Sequence, residues 1–487
     1  MINSIQHFGD IGVGNIFNAR NSFLKEPHKQ AEFVYEVTQN VVQLGLAILA
    51  ETYEEMDQAI RADRKRKQKW HIVRRDTTSL LTSLGEVTYQ KTLFKNKKTG
   101  ESSYLLDQLM GLESHVRMTE DAGARILEEA VESSYRKGGE RSSILGDRVS
   151  KQTVMNKVHA LKFPEYKAPK AEKKQVSYLY IDADEDHVSL QYQEEKGDLK
   201  KQSRKHTIMP KLAYVYEDID TCGNRPKLVN VHYFGGVYEG SAGVEKFWRE
   251  IYTYIESTYD LSVLKRIYIH GDGAPWIQSG PKWIDSATFV LDRFHRNQYI
   301  LAATSHLLDS AQEARMELYR GIHQMDRGHV KKTFKKILLT TDEDSRKYQT
   351  VEGAMNYILG NWKGIRASIE EKAFVKGCSA EGHVSHIYAA RMSSRPLGWS
   401  RLGVDKMARL RVYQKNGGNM LELIRYQHHE LPQAAGAEEL SLPLQDILSK
   451  GGRVQTMTEK YAQAISYSIP YPHVKKIASF KGHIWGL

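Results

Sequence analysis

Apolar positions along the chain fall into two textures. From Ala31 to Lys69 they recur at Phe33, Val37, Val41, Leu44, Ile48 and Met56, close to the helical period, so one long helix is expected there. Leu80 to Phe94 carries β-prone residues in partial alternation, broken by a turn at Thr82-Ser-Leu-Gly-Glu86. A second turn follows at Asn96-Lys-Lys-Thr-Gly100. Helices are expected again over Thr119–Tyr135 and Ser150–Leu161, the latter with Val154, Val158 and Leu161 inward. Lys151, Gln152, Thr153, Asn156 and Lys157 then face outward, the layout of a helix-turn-helix whose second helix offers polar groups to a DNA groove. The bland alternative is an ordinary amphipathic helix.

Phe163 to Lys174 holds two prolines and several lysines and reads as a linker. Beyond it strands alternate with helices. Asn297 to Leu339 reads helical again, with Leu301, Leu307, Leu308 and Met316 among polar residues, and Lys331 to Lys336 adds basic surface.

Composition changes this picture little. Of 487 residues, 40% are hydrophobic and 26% charged, an ordinary globular balance for a chain long enough for several domains. Cys222 and Cys378 stand apart, outside any CxxC pair, which argues against a zinc ribbon and a disulfide framework. No targeting segment is legible, and the apolar stretch at Val41–Ala50 is short for a bilayer span, so a cytoplasmic protein away from membranes is expected. The net charge of +11 favours polyanionic partners. The basic run Arg61–Lys69 is either a solvated helix face or a phosphate contact.

Three acidic sites carry candidate chemistry. In Val176-Ser-Tyr-Leu-Tyr-Ile-Asp-Ala-Asp-Glu-Asp-His-Val188, Asp182 and Asp184 leave the same face of a strand, and like charges so placed repel unless a cation lies between them. In Leu264–Trp276 another β-rich run ends in Asp272, flanked by two glycines. In Cys378–His386, Glu381 stands near a helix start that Ser379 is placed to cap. Arg391 and Arg395 follow in a loop as candidate DNA contacts. His383 and His386 are three apart, not the four of a zinc-binding HExxH helix. Acids from two strands and a helix suit phosphoryl transfer on DNA, which uses two ions about 3.5–4 Å apart, as in RNase H-like nucleases.

Ile181-Asp-Ala-Asp-Glu-Asp-His-Val188, His270-Gly-Asp-Gly-Ala-Pro-Trp-Ile277, Leu291-Asp-Arg-Phe-His295 and Ser379-Ala-Glu-Gly-His-Val-Ser-His386 resemble the ISLre-type insertion-sequence transposases. These form a bacterial branch of the DDE superfamily, distantly similar to Mutator-like enzymes. The resemblance runs from about residue 65 to about residue 425. It implies Asp272 and Glu381 as metal ligands and leaves the first ligand between Asp184, which is favoured, and Asp182. Asp292 stands where many relatives have Cys, and His295 is placed to contact the scissile phosphate or orient a ligand; a structural His at a helix start is the alternative.

The implied architecture is an α/β catalytic core of RNase H-like type, a mixed sheet flanked by helices, in two parts (175–296 and 376–430) around a helical insertion (297–375). A helical region (1–70) and a DNA-binding region with a small β element (71–165) precede it, and a tail (431–487) follows. The implied activity is binding of terminal inverted repeats, cleavage, and joining of 3′-hydroxyl ends to target double-stranded DNA with two Mg²⁺ or Mn²⁺ ions. A homo-oligomer, nucleoid-associated in a bacterial cytoplasm, is implied. The rivals are a nuclease that cuts without joining and a non-catalytic DNA-binding protein.

Overall fold

The computed structural model describes residues 3–428 apart from 114–115, 167–171, 193–205, 224 and 396. The expected tail at 431–487 lies outside the described residues, as does part of the linker. The described chain folds into two compact units. One takes in residues 3–126 and 137–150, the other residues 127–136 and 151–427.

In the first unit, α1 (Val13–Lys25) precedes α2 (Gln30–Ala62). The long helix was expected to run on to Lys69. Instead Asp63 leaves helical geometry, and its carboxylate accepts from the Arg66 amide at 2.6 Å to start a separate helix, α3 (Arg64–Lys69). Arg66 is buried, with its guanidinium 5.2 Å from the Phe94 ring centre and Nε donating to the Ile60 carbonyl. It is therefore a structural cation, while Arg64, Lys65 and Lys67 stay exposed.

β1 (Trp70–Leu81) and β2 (Glu86–Asn96) form an antiparallel hairpin closed by Leu81 opposite Glu86, and β3 (Ser102–Tyr104) pairs with β2. The turn falls where expected, and Thr82 Oγ1 donates to the Gly85 carbonyl across it. The hairpin begins ten residues earlier than the sequence pattern suggests. Residues Arg74 to Thr78 are largely exposed, so they carry no apolar alternation. Val87, Tyr89 and Phe94 pack with Val42, Leu46 and Ile60. Among the described helices, α2 has the length and apolar content of a membrane span, more than the stretch at 41–50 suggested.

The second unit resumes after residues 127–136 with α4 (Lys151–Ala160). The sheet consists of β4 (Tyr178–Glu185), β5 (Lys211–Tyr216), β6 (His232–Gly236), β7 (Arg266–Gly271) and β8 (Ala287–Leu291), with α5 (Gly240–Thr258) between β6 and β7. Its order is β6-β5-β4-β7-β8. The pairs β4–β5 and β5–β6 are antiparallel, whereas β4–β7 and β7–β8 are parallel. This is a mixed sheet flanked by helices.

Alternation assigns its faces. Leu179, Ile181 and Ala183 of β4, with Ile267 and Ile269 of β7, pack against Phe247, Trp248, Ile251 and Ile255 of α5. Tyr180, Asp182 and Asp184 alternate with them and take the opposite face.

Five helices follow β8: α6 (Arg293–Thr304), α7 (Ala311–His323), α8 (Arg327–Leu339), α9 (Arg346–Gly360) and α10 (Trp362–Glu370). Their core is Ile300, Leu318, Ile322, Val330, Phe334, Ile337, Val351 and Ile358. Of the apolar residues singled out from sequence here, Leu307 packs partly buried against this core, whereas Leu301, Leu308 and Met316 are exposed. The short α11 (Ala380–Val384), then α12 (Arg401–Lys415) and a helix at Met420–His428, follow.

The expected helix-turn-helix is corrected in two respects. A third helix, Tyr135–Glu140, lies in sequence between Glu120–Glu132 and α4. The helix α4 also folds with the strands of the second unit rather than with residues 71–126. Val154, Val158 and Leu161 are buried as expected, and Lys406 Nζ of α12 donates to the Leu161 carbonyl at 2.7 Å. Lys151, Gln152, Thr153 and Asn156 are exposed, and Lys157 is half-buried.

Candidate active site

Asp182 and Asp184 share a strand face but not an environment. The Asp182 carboxylate is fully buried and surrounded by donors. Tyr214 Oη donates to it at 2.9 Å, Tyr216 Oη at 3.1 Å and the Ser379 backbone amide at 2.8 Å, and His270 Nδ1 stands 2.9 Å away. His270 lies directly opposite it on β7. Burial works against ionisation, yet His270, the Ser379 amide and the Tyr214 hydroxyl together hold the carboxyl below its usual range. This acid is a structural anion with its lone pairs taken.

Asp184 is the open one. It accepts a hydrogen bond from the Glu185 amide at 2.8 Å. Burial, and then the charge of Asp272, push its carboxyl up to about 6, against the pull of the Glu185 amide and His295. Asp272 follows β7, the parallel neighbour of β4, so the two carboxylates emerge at adjacent strand ends. Gly273, next to Asp272, has φ +91°, which favours glycine, and an added Cβ there meets the Asn361 side chain. Asp272 Oδ1 accepts from the Ala274 amide at 2.9 Å, and Tyr357 of α9 donates its hydroxyl to the Asp272 carbonyl.

The next parallel strand, β8, ends in Asp292. Its amide donates to the Gly271 carbonyl, and its side chain caps α6 by accepting from the Phe294 amide. Its other oxygen lies 3.0 Å from His295 Nδ1. That bond, and the charges of Asp292, Asp272 and Asp184, raise the His295 pKa despite partial burial. Three adjacent parallel strands thus end in Asp184, Asp272 and Asp292, with His295 beside them. The hydrogen bond of Asp292 to His295 is missed by sequence reasoning, although Asp292 follows an apolar run just as Asp272 does.

Glu381 is exposed in the first turn of α11. Ser379 precedes the helix, but its side chain does not cap it: amide and hydroxyl both go to Asp182. Among the described residues, no three His, Cys, Asp or Glu side chains are gathered closely enough to hold one ion. Asp184, Asp272 and His295 lie close enough for their charges to act on one another, without forming such a group.

Arg391 is not the loop contact expected. It lies in a helical turn, is 7% exposed, donates Nε to the Ala130 carbonyl and stands over the Tyr135 and Trp399 rings. Burial lowers its pKa to about 10. Arg395 is exposed.

The donors at the strand ends are carboxylate oxygens. Two carboxylates repel each other there, and oxygen donors are what Mg²⁺ and Mn²⁺ prefer.

The profile of the uncharacterised protein family UPF0236 matches residues 24–429, and the chain belongs to that family. It is 37% identical over 408 residues to a UPF0236 protein of Caldanaerobacter subterraneus subsp. tengcongensis, covering 84% of this chain and 82% of that one. A UPF0236 protein of Streptococcus gallolyticus, named for the vanSb 3′ region, is 22% identical over 442 residues, covering 88% and 91%. Among solved structures, the Drosophila P element transposase strand transfer complex is similar at 10% identity and a TM-score of 0.22, over 64% of this chain and 80% of that one. A TM-score that low carries no argument.

Proposed function

We propose that this chain is a DNA transposase of the three-carboxylate type, built on an RNase H-like sheet and akin to the ISLre-type enzymes. The observation that carries the reading is the pairing of Asp184 with Asp272 at the ends of adjacent parallel strands. They lie at the centre of a five-stranded sheet, where β4 pairs antiparallel with β5 on one side and parallel with β7 on the other. Asp184, Asp272 and Glu381 would hold Mg²⁺ or Mn²⁺. Held there, the ions would supply activation of an attacking hydroxyl and stabilisation of the leaving oxygen.

The chain's own groups do the rest. His295, its pKa raised by the hydrogen bond to Asp292, contacts the phosphate at the strand ends. Asp182 anchors the segment that carries Glu381. The charge of +11 supports a DNA partner, with Lys151, Gln152, Thr153, Asn156, Lys157 and Arg395 as candidate contacts. One relative's name joins eleven locus designations from a single strain, and many copies in one genome are what a mobile element leaves behind. Two element ends must meet, so the active form is an oligomer.

The test incubates the protein with Mg²⁺ and DNA carrying the inverted repeats that flank its own gene. The reading expects cleavage at the ends and joining of their 3′-hydroxyls to target DNA, both lost in Asp272→Asn and Glu381→Gln. Nicks without joined product would instead mark a nuclease. Undiminished activity in Asp272→Asn would sink the reading.

A further inference from the structure

Acids occupy three alternate positions at the end of β4: Asp182, Asp184 and Asp186. The outer two are committed elsewhere. Asp182 takes the amide and hydroxyl of Ser379, the residue immediately before α11. Asp186, 8% exposed, takes the hydroxyl of Ser393 at 2.9 Å. Ser393 comes immediately after the helical turn Ala390–Met392.

Between the two serines the chain is helical throughout: α11, a wider π turn at Ser385–Ala389, then Ala390–Met392. The Tyr388 hydroxyl in the π turn donates to the Lys211 carbonyl of β5. Glu381 stands in the first turn of this segment.

We propose that Asp182 and Asp186 are positioning residues that clamp segment 380–392 by its two ends onto the strand bearing Asp184, fixing where Glu381 is presented. This rests on the reading of Glu381 as the third carboxylate. The physical need is plain. A carboxylate on a short helix with an exposed first turn contributes to an ion site only if the helix is held, because each freedom left to it is paid in affinity. The helix is too short to hold itself. Two serines tied to acids flanking the first ligand fix both ends against the element with which Glu381 must be in register. Hydrogen bonds of this kind behind a ligand are worth about 10–100-fold in metal affinity.

The test uses hydrogen exchange on the full chain without divalent ions, and Mn²⁺ titration. The variants are Asp182→Asn, Ser393→Ala and Ser393→Thr. Asp182→Asn turns a donor toward donors, and Ser393→Ala removes the bond to Asp186. Both should raise exchange across 380–392 by about tenfold or more while β7 keeps its protection, and weaken Mn²⁺ binding by about tenfold. Affinity for end-containing DNA without divalent ions should stay within about twofold of wild type. Ser393→Thr, which keeps the hydroxyl, should restore both readouts. If Asp182→Asn does not fold, the two Ser393 variants decide alone.

Wild-type exchange across 380–392 in Ser393→Ala overturns the clamp. Raised exchange with unchanged Mn²⁺ affinity overturns the positioning role, provided Glu381→Gln run alongside weakens binding. If Glu381→Gln itself binds Mn²⁺ as wild type does, it is the reading of Glu381 that falls, and raised exchange still upholds the clamp.

Discussion

The division of labour between Asp182 and Asp184 is decided by residues far away in sequence. Alternation puts both acids on one strand face, and that much is legible from their spacing. What separates them is the arrival of Tyr214, Tyr216, His270 and Ser379 around Asp182, between 32 and 197 positions downstream. No local pattern announces that.

The consequence for Asp184 is measurable. Its folded carboxyl is raised above the unfolded value, so in the metal-free protein its ionisation costs stability as pH rises through about 6. A bound cation reverses this preference and competes with the proton. Mn²⁺ affinity measured by calorimetry should therefore climb steeply between about pH 5 and about pH 7. A flat wild-type profile would count against the coupling.

Arg391 gives a second check at this scale. Read from sequence it is a loop cation; packed between Tyr135 and Trp399 it is part of the core. Arg391→Ala should cost about 2–4 kcal/mol in denaturant titration, by leaving the Ala130 carbonyl unpaired and a gap behind. It should leave the salt dependence of DNA binding unchanged.

At the scale of elements, existence is easier to read than facing. The turn at Thr82–Glu86, the helices after β8 and the strand endings at Asp184 and Asp272 all follow from local chemistry. The N-terminal half of β1 does not, because its residues are exposed on both faces and carry no period. The buried faces of α6 and α7 are not legible from sequence because apolar residues lie on both sides of them. Leu301 is 45% exposed while its neighbour Ile300 is buried. Accordingly Leu301→Ala should change stability by less than about 0.5 kcal/mol, whereas Phe334→Ala, in the helical core, should cost about 3–5 kcal/mol. Equal costs in chemical denaturation would contradict the assigned faces.

The whole molecule adds what neither residues nor elements state. The second unit begins with residues 127–136 and leaves the chain again before resuming at 151. A linear reading into consecutive regions could not find that excursion, since it is made by burial and not by composition. Membership of UPF0236 covers nearly all of the described chain without supplying an activity.

Charge is the property that belongs to this scale. If the exposed cations of α3 contact DNA phosphates, Lys65→Gln with Lys67→Gln should lower the slope of log affinity against log salt by about 2, close to 0.9 per phosphate. An unchanged slope would return that run to a solvated surface. The central claim is narrower: Asp184 and Asp272 hold a divalent cation together. Isothermal titration of Mn²⁺ into the full chain at neutral pH tests it directly. The account predicts binding in the wild type and its loss in both Asp184→Asn and Asp272→Asn; wild-type binding in Asp272→Asn would contradict it.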